Sequence, residues 1–249
     1  MRKEAIIIIF FLMISLSGCA EVRDDQADEI LQDMTKEQMR PDETAHRAEL
    51  TAEDGTRLAA SYYDRPSTKG IILLHMLNGN RNDWHEFAKY MKDYQVIAPD
   101  FRGHGESEGN LREFSENDYS NMVLDAKAAG EYLKSRGVEE LYSIGASIGA
   151  NIALQYGIQE DLVKKVVMLS PGLDYKGVTS ENINDFDRPA YIITSSEDTY
   201  SAESSKELYG LATDPKKLEI YSDIGHGTTM LEKRPELMQE IKAWIEKGG

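Results

Sequence analysis

Cysteine is almost absent from this sequence, which has one, Cys19, in 249 residues. A disulfide within the chain is therefore excluded. The five histidines form no H-E-x-x-H pattern, and no Cys/His cluster has the spacing of zinc ligands. A metal site made of carboxylates stays open, but no pattern indicates one. We expect no metal and no cofactor.

Basic residues are scarce beside acidic ones, with 28 Lys and Arg against 44 Asp and Glu and a formal net charge of −16. Nucleic-acid recognition needs a clustered basic surface, so we expect no nucleic-acid partner. Hydrophobic residues make up 41% of the chain, which is enough for one domain with a buried core.

The sequence also has no apolar run of the roughly 20 residues that a membrane-spanning helix needs. Arg2 and Lys3 are followed instead by a 12-residue apolar run at positions 5–16, the length of a signal-peptide core. The run ends in Leu16-Ser17-Gly18-Cys19, which resembles the bacterial lipoprotein signal.

That resemblance implies that residues 1–18 are removed and that Cys19 is lipidated, with palmitate among the acyl chains. It also implies an extracytoplasmic protein held on a membrane by this anchor. A plain secretory signal or an uncleaved anchor is the alternative. The acidic residues 19–45 would then form a tether, and residues 46–249 the folded domain.

From residue 46 onward, strand patterns alternate with helical patterns. Asp54-Gly55 joins the first two predicted strands, 47–53 and 58–63, in an antiparallel hairpin. The alternation predicts an α/β fold: a mostly parallel sheet with helices on both faces and an antiparallel hairpin at one edge. The later predicted strands are 69–75, 94–98, 140–144, 164–169, 190–194 and 217–221, and the predicted helices are 84–92, 115–136, 147–156, 202–211 and 235–246.

Gly145-Ala146-Ser147-Ile148-Gly149 lies between the predicted strand 140–144 and the helix predicted to begin at Ser147. This context is typical of a nucleophile elbow, a turn so sharp that side chains at positions 145 and 149 would collide with backbone. We therefore predict that Ser147 is a nucleophile. A glycine-rich turn without chemistry is the alternative.

A serine nucleophile needs a base, and the base needs a carboxylate that orients it. His226, between two glycines, is the one histidine after Ser147. Three carboxylates could orient it: Asp198, its neighbour Glu197, and Asp174, which follows the preceding strand. We favour Asp198.

The blocks around His75, residues 100–107, Ser147, Asp198 and His226 resemble the α/β-hydrolase superfamily, from about residue 46 to the end of the chain. The resemblance is to small members without a large cap, such as dienelactone hydrolases and acyl-peptidases. It implies the α/β-hydrolase fold and a catalytic triad of Ser147, Asp198 and His226 in the family's chain order.

The same resemblance implies an oxyanion hole formed by the backbone N–H groups of Leu77 and Ile148. Met76 stands where the family often has glycine, and its side chain is expected to narrow the acyl pocket or alter the loop. The segment 173–188 is too short for a substantial cap. We therefore expect an open site whose substrate pocket is lined by Met76 and Tyr175.

Residues 100–109 contain glycines that do not fit a dinucleotide-binding loop and a histidine that does not fit a catalytic base. The glycines lack the G-x-G-x-x-G spacing of a dinucleotide-binding loop, and His104 precedes the nucleophile in the chain. We predict a structural turn in which Asp100 and Arg102 make local hydrogen bonds. His75 is likewise expected to be satisfied by loop backbone.

These patterns predict a serine hydrolase that cleaves a small-molecule carboxylic ester, or a related acyl bond, through an acyl-enzyme on Ser147. Peptidase, thioesterase and acyltransferase activities share this constellation. A different class stays open, in which a surface lipoprotein uses the domain for binding alone. The sequence does not indicate an oligomeric state.

Overall fold

A computed structural model describes residues 45–247, so the predictions for residues 1–18, for Cys19 and for nearly all of the tether lie outside the described part. Eight of its strands form one sheet, and two short ones form a separate hairpin. The strands are β1 (Ala45–Thr51), β2 (Arg57–Tyr63), β3 (Lys69–Leu74), β4 (Gln95–Pro99), β5 (Glu140–Ala146), β6 (Val163–Leu169), β7 (Asp174–Tyr175), β8 (Val178–Thr179), β9 (Ala190–Ser195) and β10 (Lys216–Tyr221).

The large sheet has the strand order β1-β2-β4-β3-β5-β6-β9-β10. The first two strands pair antiparallel around the Asp54-Gly55 turn, in which the Gly55 N–H donates to the Ala52 carbonyl. Strand β2 is also antiparallel to β4, and every later pair in the sheet is parallel. The predicted fold class is therefore confirmed, including its antiparallel edge.

Helices connect the parallel strands except β6 and β9, and three single 3₁₀ turns lie at 81–84, 111–113 and 183–185. Among residues 45–247, no helix is long and apolar enough to cross a membrane. The helices are α1 (His85–Tyr90), α2 (Glu116–Ser120), α3 (Met122–Ser135), α4 (Ile148–Gln159), α5 (Thr199–Leu211), α6 (Thr229–Lys233) and α7 (Glu236–Glu246).

The core lies in two layers, one on each face of the sheet. Alternate side chains of β3 enter opposite layers: Ile72 and Leu74 belong to one hydrophobic cluster, and Ile71 and Leu73 to the other. All four side chains are fully buried. A strand covered on both faces is continuously apolar, which explains the Ile71–Leu74 run in the sequence.

Three details of the predicted helices differ from the structure. The helix predicted for residues 115–136 is interrupted at Asn121, where the Leu124 N–H donates to the Asn121 carbonyl in a tighter turn. The helix predicted for 84–92 begins with a 3₁₀ turn and ends at Tyr90. Helix α6 was not predicted. The segment 173–188 holds only the β7–β8 hairpin and a 3₁₀ turn, with no helical cap.

Candidate active site

Ser147 lies at the carboxyl end of β5, in the turn that leads into α4. Its backbone has φ 56° and ψ −126°, a left-handed conformation that a residue with a side chain rarely adopts. Its N–H donates to the Leu169 carbonyl at 2.8 Å, which ties the turn to neighbouring strand β6. Strain of this kind persists only where the surroundings impose it, and it is concentrated at functional sites.

The two glycines of the turn are required by close backbone contacts. A Cβ atom on Gly145 would lie 2.0 Å from the Gly149 carbonyl oxygen. A Cβ atom on Gly149 would lie 2.4 Å from the Leu74 carbonyl oxygen at the end of β3. The structure thus has the crowding that the sequence pattern predicted for an elbow.

His226 and Asp198 are brought together from two different loops. Asp198 follows β9 and precedes the first residue of α5, whereas His226 lies between β10 and α6. The Nδ1–H of His226 donates to Oδ2 of Asp198 at 2.5 Å. The glycines on either side, Gly225 and Gly227, have φ of 83° and 58°, which lets the loop turn sharply at the histidine. Within the described range 45–247, the Nε2 atom of His226 has no hydrogen-bond partner.

Neither alternative carboxylate contacts His226. Glu197 accepts hydrogen bonds from the hydroxyls of Ser195 and Ser196 and from the Asp223 N–H, and these bonds lower its pKa to about 2. Asp174 accepts from the Gly177 N–H at 3.0 Å in the β7–β8 turn. Asp198 is the carboxylate placed to orient the histidine.

The loop after β3 presents the backbone N–H of Leu77. Within residues 45–247, neither this N–H nor that of Ile148 has a hydrogen-bond acceptor. The Nδ1–H of His75 donates to the Met76 carbonyl at 2.7 Å. In a trans peptide the C=O and N–H groups point in opposite directions, so this bond also fixes the direction of the Leu77 N–H.

His75 is held as a neutral ring with a defined tautomer. Its Nε2 accepts from the Phe101 N–H at 2.9 Å, which leaves the hydrogen on Nδ1. Complete burial lowers the pKa of His75 to about 4. The Leu77 carbonyl in turn lies 2.6 Å from Nε2 of His104. Two histidines outside the predicted triad therefore brace the loop after β3.

Met76, which departs from the family pattern, packs into the loop that carries His226. A Cβ atom on Gly227 would lie 2.4 Å from the Met76 sulfur, so the side chain occupies the space that this glycine leaves. Met76 is half-buried and packs against one of the two core clusters. Its contact links the loop after β3 to the loop of His226.

Tyr175 lies on the hairpin that takes the place of a cap. Its hydroxyl is 2.9 Å from the Ser201 hydroxyl and 3.3 Å from the Ser170 carbonyl oxygen. Burial raises its pKa and so does the charge of Asp198, while hydrogen bonding with the hydroxyls of Ser201 and Ser147 opposes this rise. The pKa of Tyr175 is therefore influenced by both the proposed nucleophile and the carboxylate that is proposed to orient His226.

The segment 100–107 makes the contacts of a structural turn. The Asp100 carboxylate pairs with the Arg81 guanidinium and accepts from the Glu106 N–H. Arg102 pairs with Asp125 at 2.7 Å and with Asp54 at 2.6 Å. The partners of Arg102 are distant in the sequence, so its bonds join separate elements instead of staying local.

Ser170 is a residue of the site that the sequence analysis did not single out. It has φ 50° at the end of β6, and its hydroxyl accepts from the Gly227 N–H at 3.0 Å. Its carbonyl oxygen faces Tyr175 and Ser201. A serine at the carboxyl end of a strand, directly before Pro171-Gly172, was the one available sign in the sequence.

Comparison with known proteins finds one family model and several relatives that are similar to this chain. Residues 70–188 match the family model described as the alpha/beta hydrolase fold. The chain is 24% identical over 231 residues to a carboxylesterase of Bacillus subtilis, an alignment that covers 72% of this chain and 93% of that protein. It is 25% identical over 217 residues to a lysophosphatidylserine lipase of Danio rerio, covering 67% of this chain and 55% of the relative.

Solved structures share the architecture at low sequence identity. The Pyrococcus furiosus esterase Pf2001 superposes with a TM-score of 0.71 at 22% identity, over 81% of this chain and 90% of its own. Est1E of Butyrivibrio proteoclasticus, solved with ferulic acid bound, gives a TM-score of 0.66 at 19% identity, over 80% of this chain and 100% of its own. Together with the sheet order, these matches show that the chain has the α/β-hydrolase fold.

Proposed function

We propose that this protein hydrolyses carboxylic esters through an acyl-enzyme formed on Ser147. The observation that carries the proposal is the His226–Asp198 hydrogen bond at the same edge of the sheet as the strained Ser147. A serine at a forced turn, an imidazole and an orienting carboxylate are the parts that nucleophilic acyl transfer requires.

In the proposed reaction, the Ser147 hydroxyl attacks the ester carbonyl carbon while Nε2 of His226 takes its proton. The resulting imidazolium keeps its Nδ1–H on Asp198, which stabilises the positive charge. The N–H groups of Leu77 and Ile148, which have no acceptor among the described residues, would bind the oxyanion.

Collapse of the tetrahedral intermediate expels the alcohol, which receives the proton from His226. A water molecule then attacks the acyl-enzyme with His226 as general base, which releases the carboxylic acid and restores Ser147. The carboxylesterase of Bacillus subtilis and the solved esterases support an ester over other acyl bonds as the substrate.

A fluorophosphonate probe tests the nucleophile, because it phosphonylates only an activated serine. We expect labelling of the wild-type chain and hydrolysis of short p-nitrophenyl esters, with both lost in Ser147→Ala. Ser135→Ala is a matched control, since Ser135 is exposed at the end of α3. Unchanged turnover in Ser147→Ala would overturn the mechanism. Absence of labelling on folded wild-type protein would favour a binding module instead.

The orienting carboxylate is tested by three amide substitutions. Asp198→Asn should lower kcat by about 10⁴-fold, because the amide no longer fixes the His226 tautomer. Asp174→Asn should leave kcat within about threefold, because its carboxylate contacts only the hairpin turn. The kcat of Glu197→Gln should lie between those of the other two variants, because the Glu197 carboxylate accepts a hydrogen bond from the backbone of the His226 loop. A larger loss in Glu197→Gln than in Asp198→Asn would contradict the assignment.

We also propose that the mature protein is anchored to a membrane outside the cytoplasm through a lipidated Cys19. The support is the Leu16-Ser17-Gly18-Cys19 sequence after a short apolar run. Two or more acyl chains would hold the protein stably on a bilayer.

A further inference from the structure

The β7–β8 hairpin is attached to the helix of the proposed nucleophile. Asn151, fully buried one turn after Ser147, donates from its side-chain amide to the carbonyls of Gly172 at 2.9 Å and Val178 at 2.8 Å. One turn later, Gln155 donates to the Thr179 carbonyl at 2.8 Å. The hairpin is thus fixed relative to Ser147 by two successive turns of α4.

The position of Tyr175 within this hairpin is defined by the backbone. Tyr175 pairs with Val178 across a turn in which Lys176 and Gly177 both have positive φ, 57° and 84°. Two central residues of this kind form the tight turn that matches the twist of a hairpin. The ring of Tyr175 also packs edge-on against that of Tyr200, with centroids 5.5 Å apart.

The hydroxyl of Tyr175 lies in a group of three oxygen atoms that share two hydrogens. The Ser170 carbonyl only accepts, whereas Tyr175 and Ser201 each have one hydrogen to donate. When Ser201 donates to Tyr175, the phenol hydrogen is free to bond another oxygen. Burial keeps the pKa of Tyr175 above its usual value, so the hydroxyl retains this hydrogen at neutral pH.

Tyr175 and Leu77 approach Ser147 from opposite sides. Leu77 follows β3 and Tyr175 follows β6, and the strand that ends at Ser147 lies between those two in the sheet. The Leu77 N–H and the Tyr175 phenol therefore lie on opposite sides of the strand that leads to Ser147.

We propose that Tyr175 is a further catalytic residue of the proposed esterase, whose phenol donates a hydrogen bond to the reacting ester oxygens at Ser147 from the side opposite Leu77. Ser201 is its positioning residue, because the Ser201 hydroxyl orients the phenol. This inference rests on the proposed function and adds a donor that the Ser147, Asp198 and His226 triad does not contain.

The test is Tyr175→Phe in the full-length chain, assayed with p-nitrophenyl acetate beside the wild type and Ser147→Ala. We expect kcat to fall by about tenfold or more with KM changed by less than about threefold, because the bond strengthens as charge develops. Tyr200→Phe is the matched control. Among the described residues its hydroxyl bonds the Asp174 backbone alone, so kcat should stay within about threefold of the wild type.

Ser201→Ala separates positioning from packing. Its effect on kcat should disappear in the Tyr175→Phe background, whereas a merely structural role would persist in both backgrounds. If Ser147→Ala is inactive and Tyr175→Phe has the kcat of the wild type, the proposal for Tyr175 is wrong and the proposed function stands. If Ser147→Ala retains full activity, the proposed function itself fails.

Discussion

Gly149 shows how one residue without a side chain lets α4 approach the end of β3. A Cβ atom at this position would meet the carbonyl oxygens of Leu74 and His75 at 2.4 and 2.5 Å. Backbone cannot move aside as the end of a side chain can. The elbow therefore needs glycine here for packing.

Gly149→Ala should lower the free energy of unfolding by roughly 1–3 kcal/mol, as overpacking does, and reduce esterase activity as Ser147 shifts. Urea unfolding and the p-nitrophenyl ester assay measure the two effects. Gly210→Ala is the control, because it lies in α5 with open space around it. That variant should be more stable by about 0.5–1 kcal/mol. Equal stability of Gly149→Ala and the wild type would contradict the close contact.

His75 should make stability depend on pH. Burial lowers its pKa to about 4, so between that value and its ordinary pKa near 6.5 the unfolded chain binds a proton that the folded chain does not. Stability from this residue is therefore present at neutral pH and is lost as pH falls through that window.

The comparison of wild type with His75→Asn isolates this dependence, because other groups titrate alike in both. The difference in unfolding free energy should shrink by roughly 2 kcal/mol between about pH 7 and about pH 5. Denaturant titrations across this range measure it. A difference that stays constant with pH would show that His75 is not buried as a neutral ring.

At the scale of elements, the sequence predicted the helices and strands that are marked by a strong residue pattern. The strand predicted for 69–75 contains the apolar Ile71–Leu74 run, and the helix predicted from residue 115 begins in the structure with a capping box of Ser115 and Asp118. Helix α6 was missed because it spans one turn and is followed by Pro235, too short for a periodic pattern.

The loop interactions could not be predicted because they depend on long-range contacts. The bonds of His75 to Met76 and Phe101 need the loops after β3 and β4 to lie side by side. The placement of Tyr175 needs the β7–β8 hairpin to fold onto α4. In contrast, chain order limited the partners of Ser147 to His226 and one of three carboxylates, and in the structure the favoured Asp198 is the one that bonds His226.

The Arg102–Asp125 ion pair joins the turn after β4 to helix α3. Both side chains are buried, with Asp125 fully so, and Arg102 also reaches Asp54 in the β1–β2 turn. Removing Asp125 takes its fully buried partner from Arg102 and leaves the buried guanidinium with the partly exposed Asp54.

Asp125→Ala should therefore lower the free energy of unfolding by about 3–5 kcal/mol. Asp54→Ala should lower the free energy of unfolding by less than about 1 kcal/mol, because the Asp54 side chain is 33% exposed and water can take its place beside Arg102. Urea titrations of both variants measure the difference. A smaller loss in Asp125→Ala than in Asp54→Ala would show that the pair does not join these elements as described.

At the scale of the whole molecule, the net negative charge provides no electrostatic attraction to a membrane. A formal net charge of −16 repels anionic headgroups. Attachment would then depend on the acyl chains proposed at Cys19, and the domain itself should work equally well without them.

Cys19→Ala in a bacterial host should move the protein from the membrane fraction to the soluble fraction of the cell envelope, because the acyl chains supply the binding energy. Its kcat on p-nitrophenyl esters should equal that of the anchored protein, since Cys19 lies outside residues 46–249, the predicted domain with the proposed triad. Detergent phase partitioning and incorporation of labelled palmitate measure the anchor directly. Ser17→Ala, two residues away, should keep both the label and the membrane position. Labelled palmitate retained in Cys19→Ala would contradict lipidation at this residue, and membrane retention without label would indicate an uncleaved apolar segment as the anchor.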